Sequence, residues 1–165
     1  MVFVACLFVE GRAIMDDREF EALMDKIQNE VFDEARNALG EKGFDRWRHP
    51  KYCGVMEGAD RHARMKGSCG DTMEMYIKVK DGRIDQASYV TDGCSSSSIA
   101  GSFTAEMAMG KTFEEVLDMT GPDVLNEIGT FPEAEEHCAH LAVTTLKEAL
   151  NSFLVDQVRG EKQGI

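Results

Sequence analysis

The sequence predicts an α+β, two-layer domain: a three-stranded antiparallel sheet with helices packed on one face, preceded by an N-terminal helix. Three observations carry that prediction. Residues 71–80, "DTMEMYIKVK", alternate apolar and polar side chains with the period of a half-buried strand. Asp81-Gly82 then supplies the residue pair of a tight hairpin turn, and residues 83–92 return. From Cys94 onward the apolar residues recur at steps of three and four, the spacing of helices.

Each element has its own signal. Over residues 16–39, Phe20, Leu23, Met24, Ile27, Val31, Phe32, Ala35 and Leu39 mark one helix, which Gly40 is expected to close. Residues 40–60 are polar, contain Gly43, Pro50, Gly54 and Gly58, and read as a loop. Residues 61–66, "RHARMK", are a weaker first strand. On the main strand Met73, Met75, Ile77 and Val79 share one face, and Thr72, Glu74, Tyr76 and Lys78 the other. In the helical half Ile99, Phe103 and Met107 lie in register and stop at Gly110. Thr112 and Glu115 form a capping box for a short helix to Met119. Gly121-Pro122 is read as a break before a turn that ends at Gly129, and Thr130 with Glu133 as a second capping box. The last helix carries Leu141, Ala142, Thr145, Ala149, Leu150 and Phe153, and residues 155–165 are expected to fray. One domain over 16–154 follows. Residues 1–15 are a short apolar segment with no basic residue ahead of "MVFVACLFV" and no clear cleavage site, read as an early start rather than a secretory signal.

Composition narrows the function. Apolar residues make up 43 %, enough for a core, and no apolar run approaches the 18 or so residues of a membrane span. The net charge of −12 argues against a nucleic-acid partner, which needs a basic footprint, and fits a cytoplasmic protein.

The cysteines carry the chemistry. There are five, Cys6, Cys53, Cys69, Cys94 and Cys138, an odd and widely spaced set that makes a poor disulfide framework. Reduced thiols serve packing, catalysis or metal binding. Three of the five sit at element junctions: Cys69 in "KGSCGD" before the alternating strand, Cys94 in "TDGCSS" between strand and helix, and Cys138 in "EEHCAH" at the start of the last helix. Two strands of similar length should bring Cys69 and Cys94 side by side, whereas spacing alone does not place Cys138. Gly67, Gly70 and Gly93 flank two of them, and helix N-termini near Cys94 and Cys138 are expected to lower the thiol pKa. With Asp71 and His137 nearby, the set suits zinc or an iron–sulfur cluster as well as it suits packed thiols. Ser95–Ser98 are expected to bond the free N–H groups of a helix start, and no G-x-S-x-G elbow surrounds them. Cys53 and His140 are weaker candidates, and Cys6 weaker still.

At "KGSCGDTMEMYIKV", "TDGCSSSSIAGS" and "EHCAHLA…LKEAL" the sequence resembles the NifU/IscU-type scaffolds of iron–sulfur cluster assembly, over about residues 44–154. The resemblance implies a SufE/NifU-like α+β fold. It also implies a non-enzymatic scaffold on which a transient [2Fe–2S] cluster is built from iron and from sulfur delivered by a cysteine desulfurase, then handed to apo-protein acceptors. It carries over Cys69, Cys94, Cys138 and Asp71 as cluster or metal ligands and His137 as an additional ligand. The three cysteines are also the implied persulfide acceptors. Three thiolates and a carboxylate hold a cluster less tightly than four thiolates, which suits a protein that must release it. Zinc is expected on the same ligands in isolated protein.

Departures from the family set limits. Housekeeping members carry Leu-Pro-Pro-Val-Lys before the last cysteine, read by a dedicated Hsp70. Here residues 131–135 are "FPEAE", which keeps Pro132 alone and counts against that chaperone. The alternative function, a zinc-bound sulfur acceptor that stimulates a desulfurase, lacks the long insertion between Cys94 and Cys138 seen in the zinc-binding SufU branch. A thiol transferase using Cys138 with His137 as base would leave Cys69 and Cys94 idle. The sequence is compatible with a monomer or a homodimer.

Overall fold

The computed structural model of the protein describes the backbone of residues 16–163 and the side chains of residues 16–158. The apolar segment 1–15, with Cys6, lies outside the described residues. The chain divides into two units, one ending at Glu34 and one beginning at Ala35, and each is described by itself.

In the first unit residues 17–34 are helical. Asp16 and Glu19 cap the start reciprocally: Glu19 N–H donates to Asp16 Oδ1 at 2.8 Å, and Asp16 N–H to Glu19 Oε2 at 3.3 Å. The predicted apolar stripe is present but uncovered, because Phe20, Leu23, Met24, Ile27 and Val31 are each 42–52 % exposed.

The helix, α1 (Asp17–Arg48), continues into the second unit. Gly40 does not end it. The backbone there takes φ 66°, ψ 173°, a kink, and helix resumes through Arg48. That corrects the expected loop over residues 40–60, of which only the part after Arg48 is irregular. Only glycine suits the kink, since a Cβ would combine positive φ with a 2.8 Å approach to Thr130 Cβ. The resumed helix is fastened by Arg46, which is buried. It donates to Ser102 Oγ at 3.0 Å, pairs with Glu106, and lies 3.9 Å over the Phe103 ring.

The sheet has the predicted order. Strands β1 (Arg61–Lys66), β2 (Thr72–Lys80) and β3 (Arg83–Thr91) pair antiparallel in sequence order. Met73 opposes Thr91, Met75 opposes Tyr89 and Ile77 opposes Ala87, and a bulge at Lys78/Val79 shifts the register so that Val79 opposes Ile84. Asp81 and Gly82 both have positive φ, 51° and 73°, as the two-residue turn between twisted strands requires. Met73, Met75, Ile77, Ile84, Ala87 and Tyr89 form the buried face.

The helices α2 (Ser95–Ala108), α3 (Phe113–Asp118), α4 (Gly121–Ile128) and α5 (His137–Gln163) follow. Ile99 and Phe103 of α2, and Leu146 and Leu150 of α5, join the strand residues in one core. Close approach is built in: a Cβ on Gly101 would fall 2.6 Å from the Tyr89 ring. The Thr112–Glu115 capping box forms as read. The other box does not lie at Thr130–Glu133. It forms at Thr120 and Asp123, with Pro122 in the first turn of α4, a position where its missing N–H costs no helix bond. Thr130 and Glu133 instead flank Pro132, the cap of a 3-10 turn over Glu133–Glu135. α5 runs on to Gln163, through the stretch expected to fray, with Val155 and Val158 exposed.

Candidate metal centre

One end of the hairpin is zipped by side chains. Thr72 N–H donates to Asp92 Oδ1 at 2.6 Å, and Thr91 Oγ1 donates to Thr72 O at 2.7 Å. The Asp92 carboxyl is held below the ordinary carboxylate range, chiefly by the Thr72 N–H. This pairing sets what lies one step further on, Asp71 on one side and Gly93-Cys94 on the other. The hairpin therefore brings Asp71, rather than Cys69, against Cys94: Cys94 N–H points at Asp71 Oδ2 from 3.4 Å. Gly93 is needed for that approach, because a Cβ there would sit 2.3 Å from Asp71 Oδ2 and 2.8 Å from Ser97 Oγ.

Cys69 rides on the turn between β1 and β2, shaped by Gly67 N–H to Asp71 O at 2.8 Å and Gly70 N–H to Gly67 O at 3.1 Å. That turn lies against α5: a Cβ on Gly67 would be 2.9 Å from Leu141 Cδ2 and 3.4 Å from Cys69 Sγ. Cys138 stands one turn earlier on the same helix, so the three cysteines gather at one end of the sheet.

The ligand atoms of Asp71, Cys94 and Cys138 lie within 4.8 Å of one another, close enough to hold a metal ion. Cys69 is outside this triad but near enough for its charge to act on Cys138. Cys69 and Cys94 are exposed and Cys138 is buried. That burial reverses one expectation. The helix start was to lower the Cys138 pKa, yet its thiol is pushed up to about 12, first by desolvation and then by the negative neighbours Cys94, Glu135 and Cys69, with only Ser97 opposing.

Ser97 is a site residue that the sequence reading missed. It is fully buried, and its hydroxyl lies 2.7 Å from Asp71 Oδ2 and 3.3 Å from Cys138 Sγ. Its single proton serves one acceptor at a time, favouring the Asp71 carboxylate or a Cys138 thiolate. Cys94 occupies the cap position of α2 with no side-chain cap bond, so the serines do not satisfy the helix start as expected. Ser98 instead pairs with Tyr89 Oη at 2.7 Å, which pins the first turn of α2 to the sheet.

His137 completes the rim. Its Nδ1 lies 3.0 Å from Ala134 O. A carbonyl only accepts, so Nδ1–H is the donor in that bond, and Nε2 lies 3.6 Å from Cys138 Sγ. Glu135 is the second residue that sequence reasoning missed. Its Oε2 lies 3.8 Å from Cys138 Sγ and 3.9 Å from Cys94 Sγ. Nothing in a run of acidic residues marked it out from Glu133 and Glu136. Two weaker candidates fall elsewhere. Cys53 bridges to Tyr89 as an added edge pairing on β3, and exposed His140 packs against Gly121 at the start of α4.

Comparison with known proteins agrees with this architecture. The family model described as the NifU-like N terminal domain matches residues 39–159. A protein of Archaeoglobus fulgidus, named iron-sulfur cluster assembly scaffold protein IscU 1, is 39 % identical over 114 residues, 68 % of this chain and 74 % of that one. The Escherichia coli K12 protein named iron-sulfur cluster assembly scaffold protein IscU is 31 % identical over 121 residues, 70 % of this chain and 94 % of that one. The crystal structure of a candidate iron-sulfur cluster assembly scaffold for the SUF system from Fervidobacterium islandicum AW-1 superposes with a TM-score of 0.59 at 25 % identity, covering 70 % of this chain and 98 % of that one. A NifU-like N-terminal structure from Brucella abortus shares the fold, with a TM-score of 0.58 at 17 % identity over 72 % of this chain and 96 % of that one. Among the described residues no helix is long and apolar enough to cross a membrane. With the family model covering most of the chain and curated relatives above 30 % identity, the protein belongs to the NifU/IscU family.

Proposed function

We propose that this protein is a scaffold on which a [2Fe–2S] cluster is assembled and from which it is transferred to apo-proteins. Cys69, Cys94, Cys138 and Asp71 are its ligands, and His137 is a further donor. The observation that carries the reading is the convergence of Asp71, Cys94 and Cys138 from three separate elements on one set of ligand atoms within 4.8 Å. The names of the curated relatives support the same role.

The cluster is cargo, and the residues set how it is handled. Cys69, Cys94 and Cys138 are the acceptors for sulfur arriving as persulfide from a cysteine desulfurase, of which Cys69 and Cys94 are exposed and Cys138 is buried and also closes the site as a ligand. Persulfide sulfur becomes sulfide only on gaining two electrons, so an external electron donor is required. Iron binding displaces the thiol protons to water. A carboxylate among the ligands keeps the cluster exchangeable.

The test is anaerobic. Ferrous iron, cysteine, a reductant and a desulfurase are added, and visible absorption and transfer to an apo-ferredoxin are followed. A chromophore that forms, depends on Cys69, Cys94 and Cys138, and moves to the acceptor is the expected result. If no cluster forms while desulfurase turnover rises with zinc bound, the protein is a sulfur acceptor and the scaffold reading is wrong.

A further inference from the structure

Glu135 has no role in the assembly just described, yet its carboxylate is the one placed among the thiols from the α5 side. It projects from the 3-10 turn that precedes α5, with Oε2 3.8 Å from Cys138 Sγ, 3.9 Å from Cys94 Sγ and 4.0 Å from His137 Nε2. His137 Nε2 is itself 3.6 Å from Cys138 Sγ. Donors around a four-coordinate ion with bonds of about 2.0–2.3 Å stand about 3.3–3.8 Å apart. The Glu135–His137–Cys138 triangle, with sides of 3.6, 3.8 and 4.0 Å, is within a few tenths of an ångström of that size.

The donor types point the same way. Among the described residues the ion-pair partner of Glu135 is His137 at 4.0 Å, and Nδ1 of that ring faces Ala134 O, so Nε2 is the nitrogen turned toward the group. Oxygen, imidazole nitrogen and thiolate together are a mixed donor set that suits a first-row transition ion, ferrous iron included, better than they suit calcium or magnesium.

We propose that Glu135, His137 and Cys138 form a subsite for a divalent first-row transition ion, sharing the Cys138 thiolate with the Asp71–Cys94 ligands, and that Glu135 is a direct ligand there. On binding, the Cys138 S–H bond breaks, the proton passes to water and the sulfur–metal bond forms. The subsite is where iron first enters the assembly site. This inference rests on the scaffold reading for its biological use, though the ion site itself is testable without it.

The experiment is a Co²⁺ titration of the full, chelator-stripped chain under anaerobic conditions, reading thiolate-to-cobalt charge-transfer bands, with affinity set by competition against a chelator. Wild type, Glu135→Gln, and the charge-matched controls Glu133→Gln and Glu136→Gln are compared, and X-ray absorption counts the oxygen and nitrogen donors. The expected result is thiolate-ligated Co²⁺ in wild type, about tenfold or more weaker binding in Glu135→Gln with one oxygen donor fewer, and no change in the controls. If Glu135→Gln binds like Glu133→Gln, or binds weakly with an unchanged donor count, Glu135 is not a ligand and the subsite is overturned while the scaffold reading stands. If wild type shows no thiolate bands at all, both fail.

Discussion

The two sides of the candidate centre are built differently. Cys138, Ser97 and the Asp71–Gly93 contact are fixed by packing: Cys138 and Ser97 are fully buried, and Gly93 leaves no room for a Cβ beside Asp71. Cys69, Cys94, Glu135 and His137 stand on a turn, a helix cap and a 3-10 turn, and none of them is buried. A centre with one rigid and one open side can define where an ion sits and still let sulfur arrive and a cluster leave. Rigidity on all sides would suit a permanent cofactor instead.

The largest effects are expected at the ligands. Cys94→Ala and Cys138→Ala each remove a donor of the triad and should abolish stable cluster loading, measured as visible absorbance and iron per chain. Cys94→Ala should leave thermal stability nearly untouched. Cys138→Ala should cost about 1–2 kcal/mol because it deletes a packed group. A Cys138→Ala protein that still loads a full cluster would remove Cys138 from the ligand set.

Next comes Gly93→Ala. The backbone there is open to any residue, so the effect is steric: the new methyl overlaps Asp71 Oδ2 at 2.3 Å and Ser97 Oγ at 2.8 Å. A destabilisation of about 1–3 kcal/mol is expected, with loss of metal affinity beyond it as Asp71 is displaced. Denaturant unfolding and Co²⁺ titration read the two effects separately, and unchanged affinity would mean that Asp71 does not need this position.

Ser97→Ala is expected to act more gently. It removes the hydroxyl shared by Asp71 and Cys138, with an expected cost of about 1 kcal/mol and altered thiolate-to-metal bands at unchanged stoichiometry. Restoring a hydroxyl with Thr should recover the bands if the added methyl is accommodated.

The smallest effect is in pH. The folded Cys138 pKa is raised, so its contribution to stability is fully present below the ordinary thiol pKa near 9 and is lost as pH rises toward about 12. Chelator-treated wild type should therefore lose stability above pH 9, by at most about 1.4 kcal/mol per unit, more steeply than Cys138→Ala. Asp92 acts at the other end of the scale. Its pKa is depressed, so its contribution is present above the ordinary carboxylate pKa and lost as pH falls through the lowered value, and Asp92→Asn should flatten that acid limb.

Local signals were legible wherever the partner was also local. The β2–β3 hairpin follows from alternation and from Asp81-Gly82, and the Thr112 box from four consecutive residues. The same four-residue pattern misled at Thr130, where Pro132 turns the chain into a 3-10 turn, while Gly121-Pro122 looked like a break and is the first turn of α4. Gly40 looked like a stop because its conformational need was legible and the helix beyond it, held through Arg46 to α2, was not. The apolar stripe of residues 20–31 and that of α5 have one period, yet the first is exposed and the second is core. Period tells which face is apolar and not what covers it. In the site, the ligand types and junctions were readable. The burial of Cys138, the turn of Ser97 toward Asp71 and the place of Glu135 depend on contacts across 26 to 41 residues of chain and were not.

The most direct measurement of the central claim is cysteine mapping by alkylation and mass spectrometry, before and after anaerobic cluster loading. At pH 8, Cys53, Cys69 and Cys94 are expected to label quickly and Cys138 slowly in chelator-treated protein. After loading, Cys69, Cys94 and Cys138 are all protected while Cys53 still labels. A fully loaded protein in which Cys94 or Cys138 remains as reactive as before, or in which Cys53 becomes protected instead, would contradict it.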